Sequence, residues 1–227
     1  MRAVLWDMDG TLVDSEKLWE ISLSAFYESF GGAISPETRA ELVGASAEET
    51  MITAYRELGL DPEPDAMAES SRSLHAHTAE LFDAGLPWCE GGRDILEALA
   101  AECTPMALVT NTQRALTERA LNSIGRHYFS ASVCGDEVSH GKPAPDPYLR
   151  AAELLGMRTS DCLAVEDSVT GALSAEAAGC AVLVIPNDVS VPGGRRRRHA
   201  ASLAELQVAD LRRIYFEIDR DRPDCTA

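Results

Sequence analysis

Five short apolar runs, each ended abruptly by polar residues, constrain the fold of this 227-residue chain more than any other feature. They are AVLW at 3–6, MALV at 106–109, ASV at 131–133, CLAV at 162–165 and AVLVI at 181–185. Segments typical of helices stand between them, at 92–101, 115–124, 147–155 and 170–178. Bounded apolar runs of this length indicate buried strands, and their alternation with helices favours right-handed βαβ units. We therefore expect an α/β fold with a Rossmann-like parallel sheet and helices on both faces.

Residues 15–84 interrupt this alternation, because they contain no run typical of a strand. Apolar residues such as Leu18, Ile21 and Phe26 follow helical spacing instead. Glycines and prolines divide the segment into several pieces. We expect an α/β core domain formed by residues 1–14 and 85–227, and an inserted α-helical cap domain formed by residues 15–84.

Composition and charge narrow the class of protein. A chain with 45% apolar and 25% charged residues is an ordinary globular protein, and a net charge of −17 would repel nucleic acids and anionic membranes. No apolar stretch has the length of a signal peptide or a membrane span. We expect a cytoplasmic protein, monomeric or weakly dimeric, whose partner is a small molecule and neither a nucleic acid nor a membrane.

Two further compositional features give expectations about local structure. The six cysteines form no C-x-x-C pair and have mostly apolar neighbours, so we expect buried, reduced thiols. Residues 195–198 are four consecutive arginines, the one basic run of an acidic chain. Charge runs are usually solvated, and we expect a solvated loop face there; a rim that attracts anionic substrates is the alternative.

Paired carboxylates follow two of the expected strands at the point where each strand ends. Asp7 and Asp9 come directly after the first run, and Glu166 and Asp167 follow the fourth. The carboxyl ends of parallel strands lie at one edge of a sheet, where ligands bind. Because unpaired buried charge is costly, such a cluster needs positive charge. Hard oxygen ligands suit Mg²⁺, which also binds substrate phosphate oxygens.

Lysine usage points to one residue as a further source of positive charge. The chain has only two lysines, Lys17 and Lys142, among many arginines. Lys142 lies in GKPAPDPY at 141–148, where three prolines restrain the backbone. A compact ammonium group held in this way suits the neutralisation of a phosphate and of a carboxylate nucleophile together.

Four segments resemble, in order, the motifs of the haloacid dehalogenase-like hydrolases. They are DMDGT at 7–11, LVTNT at 108–112, GKPAPDPY at 141–148 and VEDSVTGALSA at 165–175. The helical insert after the first motif is similar to the C1-type cap of the subgroup that contains β-phosphoglucomutase and small sugar phosphatases. The resemblance extends to about residue 210 of the chain.

This resemblance implies catalytic roles for three residues. Asp7 would attack phosphorus and form an aspartyl-phosphate, which divides one difficult displacement into two easier ones. Asp9 would protonate the leaving alcohol and later activate water. Lys142 would stabilise the charge of the group being transferred.

The resemblance also implies binding roles. Thr110 and the Asn111 amide, together with Lys142, would hold the phosphate oxygens. A Mg²⁺ ion would be held by Asp7, by Asp9 through its backbone carbonyl, by Asp167, and by Glu166 either directly or through water.

Departures from the family's patterns bear on the substrate. β-Phosphoglucomutase-like proteins carry a histidine where this chain has Trp19, and an arginine where it has Ala47. Loss of both argues against mutase action, and DSEKLW at 14–19 is similar to a form found in hexose- and hexitol-phosphate phosphatases. We expect a Mg²⁺-dependent phosphatase of a small phosphate monoester, a sugar or polyol phosphate, with Trp19 and Ser46 selecting the substrate. A β-phosphoglucomutase-like phosphosugar mutase is the alternative.

Overall fold

A computed structural model of the chain describes residues 1–42, 47–187 and 190–220. Contacts divide the chain into a core unit, Met1–Asp14 with Leu86–Ala227, and a helical unit, Ser15–Gly85. Ser46, expected to select the substrate, lies outside the described residues. Among the residues described, no helix combines the length and the apolar character needed to cross a membrane.

The core unit contains a six-stranded sheet in which every strand pairing is parallel. Its strands are β1 (Ala3–Trp6), β2 (Met106–Val109), β3 (Ala131–Val133), β4 (Cys162–Glu166), β5 (Ala181–Val184) and β6 (Arg197–His199). They lie in the order β3-β2-β1-β4-β5-β6, with β1 and β4 at the centre. The expected α/β fold with a Rossmann-like parallel sheet is confirmed.

Helices follow the strands in the alternation that the sequence predicts. They are α1 (Glu16–Ser29), α2 (Pro36–Leu42), α3 (Ala47–Leu58), α4 (Pro64–Ala84), α5 (Gly92–Ala101), α6 (Arg114–Ile124), α7 (Asp146–Leu154), α8 (Val169–Ala177) and α9 (Val208–Arg220). The first four form the helical unit. The other five belong to the core unit.

Both faces of the sheet are covered. Ala3 and Leu5 of β1 face a buried cluster that α7 and α8 complete with small residues such as Ala151 and Ala175. Side chains alternate between the faces of a strand, so Trp6 points the other way, and it is buried as well. On that side α9 contacts β5 and β6 and packs with α5.

The helical unit has an apolar core of its own. Aromatic residues of α1, Phe26 and Tyr27, pack with Met51 and Tyr55 of α3 and Leu74 of α4. The Tyr27 hydroxyl donates to Glu57 Oε2 at 2.8 Å, so its polar end is satisfied. The helices follow from the spacing of these apolar residues, which places them on one face of each helix.

The arginine run contradicts our expectation of a solvated loop. Residues 197–199 form the edge strand β6, and the Arg197 side chain is buried, with Nη2 2.7 Å from Glu176 Oε2. Arg196 donates from Nε and Nη2 to the carbonyl oxygens of Cys180 and Gly179, both at 2.8 Å. Arg195 is exposed. The prediction was wrong because four consecutive charged residues do not resemble a strand. The partners of Arg196 and Arg197 are residues that are distant in the chain, which the sequence does not show.

The expectation that the cysteines are buried is correct for three of the five described ones. Cys134, Cys162 and Cys180 are buried, Cys89 is half-buried and Cys103 is exposed, and all five are free thiols. Cys103 has a positive φ of 53°, in the turn between α5 and β2. Its apolar neighbours belong to those two elements and did not indicate its own exposure.

Gly91 fixes the start of α5. Its φ of +79° lies in the left-handed region, which disfavours any residue with a Cβ. A Cβ at this position would also overlap the backbone of Leu203 and Ala204. Because that neighbour is backbone, it has little freedom to move.

We predict that Gly91→Ala lowers the free energy of unfolding by about 2 kcal/mol more than Gly156→Ala does, since overpacking adds to the backbone strain. Gly156 has a similar φ of +66° and open space around it, so it controls for backbone strain alone. Urea unfolding of both variants measures the difference. Equal losses would show that the α5 junction tolerates a side chain.

Candidate active site

The register of β1, β2 and β4 aligns the carboxyl ends of these strands, each of which is followed by polar residues. Trp6 pairs with Leu108 of β2 and Val165 of β4, and the next backbone N–H, that of Asp7, donates to Val165 O at 3.0 Å. Side chains that follow β1, β2 and β4 therefore emerge together. This register places Asp7, Thr110 and Glu166 at the same edge.

Lys142 bridges two of the carboxylates. Its Nζ donates to Asp7 Oδ1 at 2.6 Å and to Glu166 Oε1 at 2.7 Å. The relative exposures of Lys142, Asp7 and Glu166 are 9%, 6% and 0%. Charge-assisted hydrogen bonds are strong in such surroundings. These two hydrogen bonds join Lys142 to residues that are 135 and 24 positions away in the sequence.

Further groups restrain the Glu166 carboxylate. The Tyr148 hydroxyl donates to Oε1, the oxygen that also accepts from Lys142. Ser168 Oγ lies 3.4 Å from Oε2, and a Cβ on Gly171 would overlap the carboxylate. The VEDSVTG segment therefore needs glycine at 171 so that Glu166 can lie against the first turn of α8.

Asp9 occupies a different hydrogen-bond environment from Asp7. Both Thr110 Oγ1 and Thr112 Oγ1 donate to its Oδ2, at 2.9 and 2.8 Å. The backbone N–H of Thr112 in turn donates to Thr110 Oγ1 at 3.0 Å. The loop after β2 thereby orients the Asp9 carboxylate. Its expected role as acid and base stays a prediction.

Asn111 is joined to the backbone of Lys142. The Asn111 amide donates from Nδ2 to Lys142 O at 3.1 Å, and Lys142 N–H donates to Asn111 Oδ1 at 2.8 Å. This reciprocal pair holds the loop that carries Lys142 against the loop after β2. The expected phosphate contacts of Thr110 and Asn111 stay predictions. Their side chains make the protein contacts described above.

Three carboxylates offer a set of oxygens that suits a hard divalent cation. Ligand oxygens of Asp7, Glu166 and Asp167 all lie within 4.8 Å of one another. A Cβ on Gly10, whose φ is +79°, would overlap Asp167 Oδ2, so the DMDGT glycine makes room for that carboxylate. All-oxygen donors of this kind fit Mg²⁺. The Asp9 carboxylate is directed instead to the two threonines.

Burial and neighbouring charges shift the titration of the central pair. Burial, reinforced by Glu166 and Asp9, raises the pKa of Asp7 to about 7 against the opposing effect of Lys142. Burial would lower the pKa of Lys142, but Asp7 and Glu166 outweigh it and raise that pKa above its usual range. The lysine therefore stays charged at neutral pH. Among the residues described, the cluster combines the three carboxyl groups of Asp7, Glu166 and Asp167 with the single ammonium group of Lys142.

The residues expected to select the substrate belong to other parts of the chain. Trp19 lies in α1 of the helical unit, packed against that unit's apolar core. Its indole ring makes an edge contact with the His75 ring, the centroids being 5.5 Å apart. Ser46 is outside the residues described. Roles for both stay predictions.

Sequence reasoning missed three residues of this site, Tyr148, Thr112 and Ser168. Tyr148 and Thr112 close the GKPAPDPY and LVTNT motifs, so their positions were visible in the sequence. Their hydrogen bonds to Glu166 and Asp9 cross between elements far apart in the chain. Only the fold shows which partner each hydroxyl finds.

Comparison with known proteins gives consistent relatives. The haloacid dehalogenase-like hydrolase family matches residues 4–185. Protein CbbY of Rhodobacter capsulatus is 30% identical over 222 residues, covering 93% of this chain and 94% of that protein. Hexitol phosphatase A of Escherichia coli K12 is 31% identical over 192 residues, covering 84% and 86% respectively.

A solved structure shows the same architecture. CbbY from Rhodobacter sphaeroides in complex with xylulose-(1,5)bisphosphate superposes with a TM-score of 0.82. It is 25% identical to this chain, and the alignment covers 93% of this chain and 99% of that one. The likeness extends over both the strands of the sheet and the inserted helices.

We predict that Lys142→Met lowers the free energy of unfolding by about 3–5 kcal/mol at neutral pH without divalent metal, because it leaves buried carboxylates uncompensated. Arg150→Met in α7 is the control, since its ion pair with Glu153 is exposed and contributes about 0–1 kcal/mol. Urea unfolding measures both losses. A Lys142→Met loss no larger than the control's would mean that the lysine does not balance the cluster.

Proposed function

Because this chain belongs to the haloacid dehalogenase-like hydrolase family and is a phosphoric monoester hydrolase, we propose that it hydrolyses small sugar or polyol phosphates through an aspartyl-phosphate on Asp7. One observation carries the proposal. Lys142 bridges Asp7 and Glu166 in a buried site at the carboxyl ends of β1 and β4. A carboxylate nucleophile approached by an anionic phosphate needs such a compensating charge.

Asp7 is the nucleophile in this proposal. One of its carboxylate oxygens forms a bond to phosphorus as the bond between phosphorus and the ester oxygen breaks. Lys142, already 2.6 Å from Asp7 Oδ1, reduces the repulsion between the two anions. In the second step water attacks the same phosphorus, and the Asp7 carboxylate and inorganic phosphate are released.

Asp9 moves the protons of both steps. It gives a proton to the leaving alkoxide in the first step and takes one from the attacking water in the second. The two threonine hydroxyls on its Oδ2 support this role, because they fix the orientation of the carboxyl group. Separate environments for Asp7 and Asp9 favour separate tasks for the two carboxylates.

Mg²⁺ is the cofactor that the donor set fits. Asp7, Asp167 and the Asp9 backbone carbonyl would hold it. Glu166 Oε1 already accepts from Lys142 and Tyr148, which favours contact through water for that residue. When bound, the ion supplies positive charge that offsets the carboxylates and the phosphate.

Relatives support the substrate class. Hexitol phosphatase A is named for a hexitol, which is a polyol, and CbbY from Rhodobacter sphaeroides is seen with xylulose-(1,5)bisphosphate, a sugar bisphosphate. Phosphorylated carbohydrates phosphatase of Thermotoga maritima is a further relative, 30% identical over 180 residues. We propose that Trp19 and Ser46 contribute to the choice among such substrates.

The first test is a panel of phosphate monoesters assayed for phosphate release with Mg²⁺. We predict turnover of several sugar or polyol phosphates, and a loss of at least about a thousandfold in kcat for Asp7→Asn, which corresponds to about 4 kcal/mol of barrier. Asp94→Asn, the same substitution at an exposed position of α5, should keep wild-type kcat.

Two outcomes would contradict this proposal. Substantial turnover by Asp7→Asn would exclude Asp7 as the nucleophile. Efficient conversion of β-glucose 1-phosphate to glucose 6-phosphate, with a trace of the 1,6-bisphosphate and little phosphate released, would identify the chain as a mutase.

The raised pKa of Asp7 gives a second test. Below its value of about 7 the carboxyl binds a proton that Mg²⁺ must displace, so affinity should fall by up to about tenfold per pH unit below 7 and level off above it. Calorimetric titration of Mg²⁺ at about pH 5.5 and 8.5 measures the change. Asp7→Asn should bind weakly and equally at both pH values. Equal wild-type affinities would refute Asp7 as the ligand that couples metal binding to pH.

A further inference from the structure

Tyr148 has a buried hydroxyl that contacts the cluster of Lys142, Asp7 and Glu166. The proposed reaction assigns no role to this hydroxyl. Its side chain is 0% exposed, and its ring packs in the apolar cluster beneath the sheet with Ala3 and Leu5 of β1. Its hydroxyl donates a hydrogen bond to the Oε1 atom of Glu166. A buried hydroxyl with one polar partner is held firmly by it.

Glu166 Oε1 links Tyr148 to Lys142. The same oxygen accepts from Lys142 Nζ at 2.7 Å, and Nζ also donates to Asp7 Oδ1 at 2.6 Å. Lys142 Nζ lies 5.4 Å from the centroid of the Tyr148 ring, within the range of a cation–π contact. Tyr148 thus contacts the lysine by its ring and the lysine's carboxylate partner by its hydroxyl.

We propose that Tyr148 is a positioning residue that acts through Glu166, holding the carboxylate so that Lys142 is directed at Asp7. The proposal rests on the proposed function, in which Lys142 must compensate Asp7 and the phosphoryl group. Among the described side chains, the other hydroxyl near Glu166 is Ser168 Oγ, 3.4 Å from Oε2, which is too long for a strong hydrogen bond. Without the tyrosine hydroxyl, the Lys142 ammonium is the partner that Oε1 keeps among the described side chains.

Tyr148→Phe isolates the hydroxyl, because the phenyl ring keeps the packing and the face presented to Lys142. Tyr215→Phe is the matched control. Tyr215 is also buried in the core unit, and its hydroxyl donates to a backbone carbonyl, Ser160 O, at 2.7 Å. Both variants therefore lose one buried hydrogen bond, and only one of them loses it at the cluster.

We expect Tyr148→Phe to lower kcat by about 10- to 100-fold, the usual effect of losing a partner that orients an active-site ligand, with KM changed less than about twofold. Tyr215→Phe should keep both constants. In a double-mutant cycle with Glu166→Gln, the effects of Tyr148→Phe and Glu166→Gln should be non-additive, whereas those of Tyr215→Phe and Glu166→Gln should add. Wild-type kcat for Tyr148→Phe, or additive effects with Glu166→Gln, would overturn the proposal.

A readout independent of turnover separates this inference from the proposed function. The chain has only two lysines, so ¹³C-labelled lysine gives two side-chain NMR signals, and the Lys17 signal serves as the reference. We expect Tyr148→Phe to shift the Lys142 signal and Tyr215→Phe to leave it in place. An unmoved Lys142 signal would refute the positioning role. If Tyr148→Phe shifts the Lys142 signal as expected but the wild-type chain hydrolyses no phosphate monoester, only the proposed function is refuted.

Discussion

The ammonium group of Lys142 lies between two buried carboxylates, and the rest of the site depends on this arrangement. Asp7, Glu166 and Asp167 bring their oxygens within 4.8 Å of one another, where like charges in a poorly hydrated site repel strongly. One lysine offsets part of that charge, but burial, reinforced by Glu166 and Asp9, still raises the pKa of Asp7 to about 7. A divalent cation and the electron-poor phosphorus of a substrate are the two partners that such an excess of carboxylate favours.

Two features of the fold place these carboxyl groups and the lysine. One is the register of the strands, and the other is the lack of a side chain at two glycines. Parallel pairing of β1 with β2 and β4 aligns three strand ends, so that residues more than a hundred positions apart emerge side by side. Gly10 makes room for Asp167, and Gly171 makes room for Glu166. The reciprocal hydrogen bonds between Asn111 and Lys142 then fix the loop that carries the lysine. The strand register and the loops thus hold the three carboxyl groups close together.

Much of this was predictable from local sequence, and the failures have physical causes. Short apolar runs indicate buried strands, and the polar residues that follow them mark the carboxyl edge of the sheet, so five of the six strands described were predicted. Asp7, Glu166 and Lys142, which the sequence singled out, lie in contact in the structure. The strand at Arg197–His199 was missed because Arg197 pairs with Glu176, and its neighbour Arg196 donates to carbonyl groups of another segment. Tyr148 was missed for the same reason, since its hydroxyl meets Glu166 only when α7 packs against β1, β2 and β3. Hydrogen bonds between residues far apart in the chain produce no periodic pattern in the sequence.

In the proposed reaction Asp7 carries the phosphoryl group, and chemical trapping can detect this covalent intermediate. Borohydride reduces an aspartyl-phosphate to homoserine, so enzyme quenched during steady turnover of a sugar phosphate and then reduced should show homoserine at position 7 by peptide mass spectrometry. Unreacted enzyme treated in the same way should show none. Homoserine at Asp9 or Asp167, or its absence from enzyme that is releasing phosphate, would contradict the account.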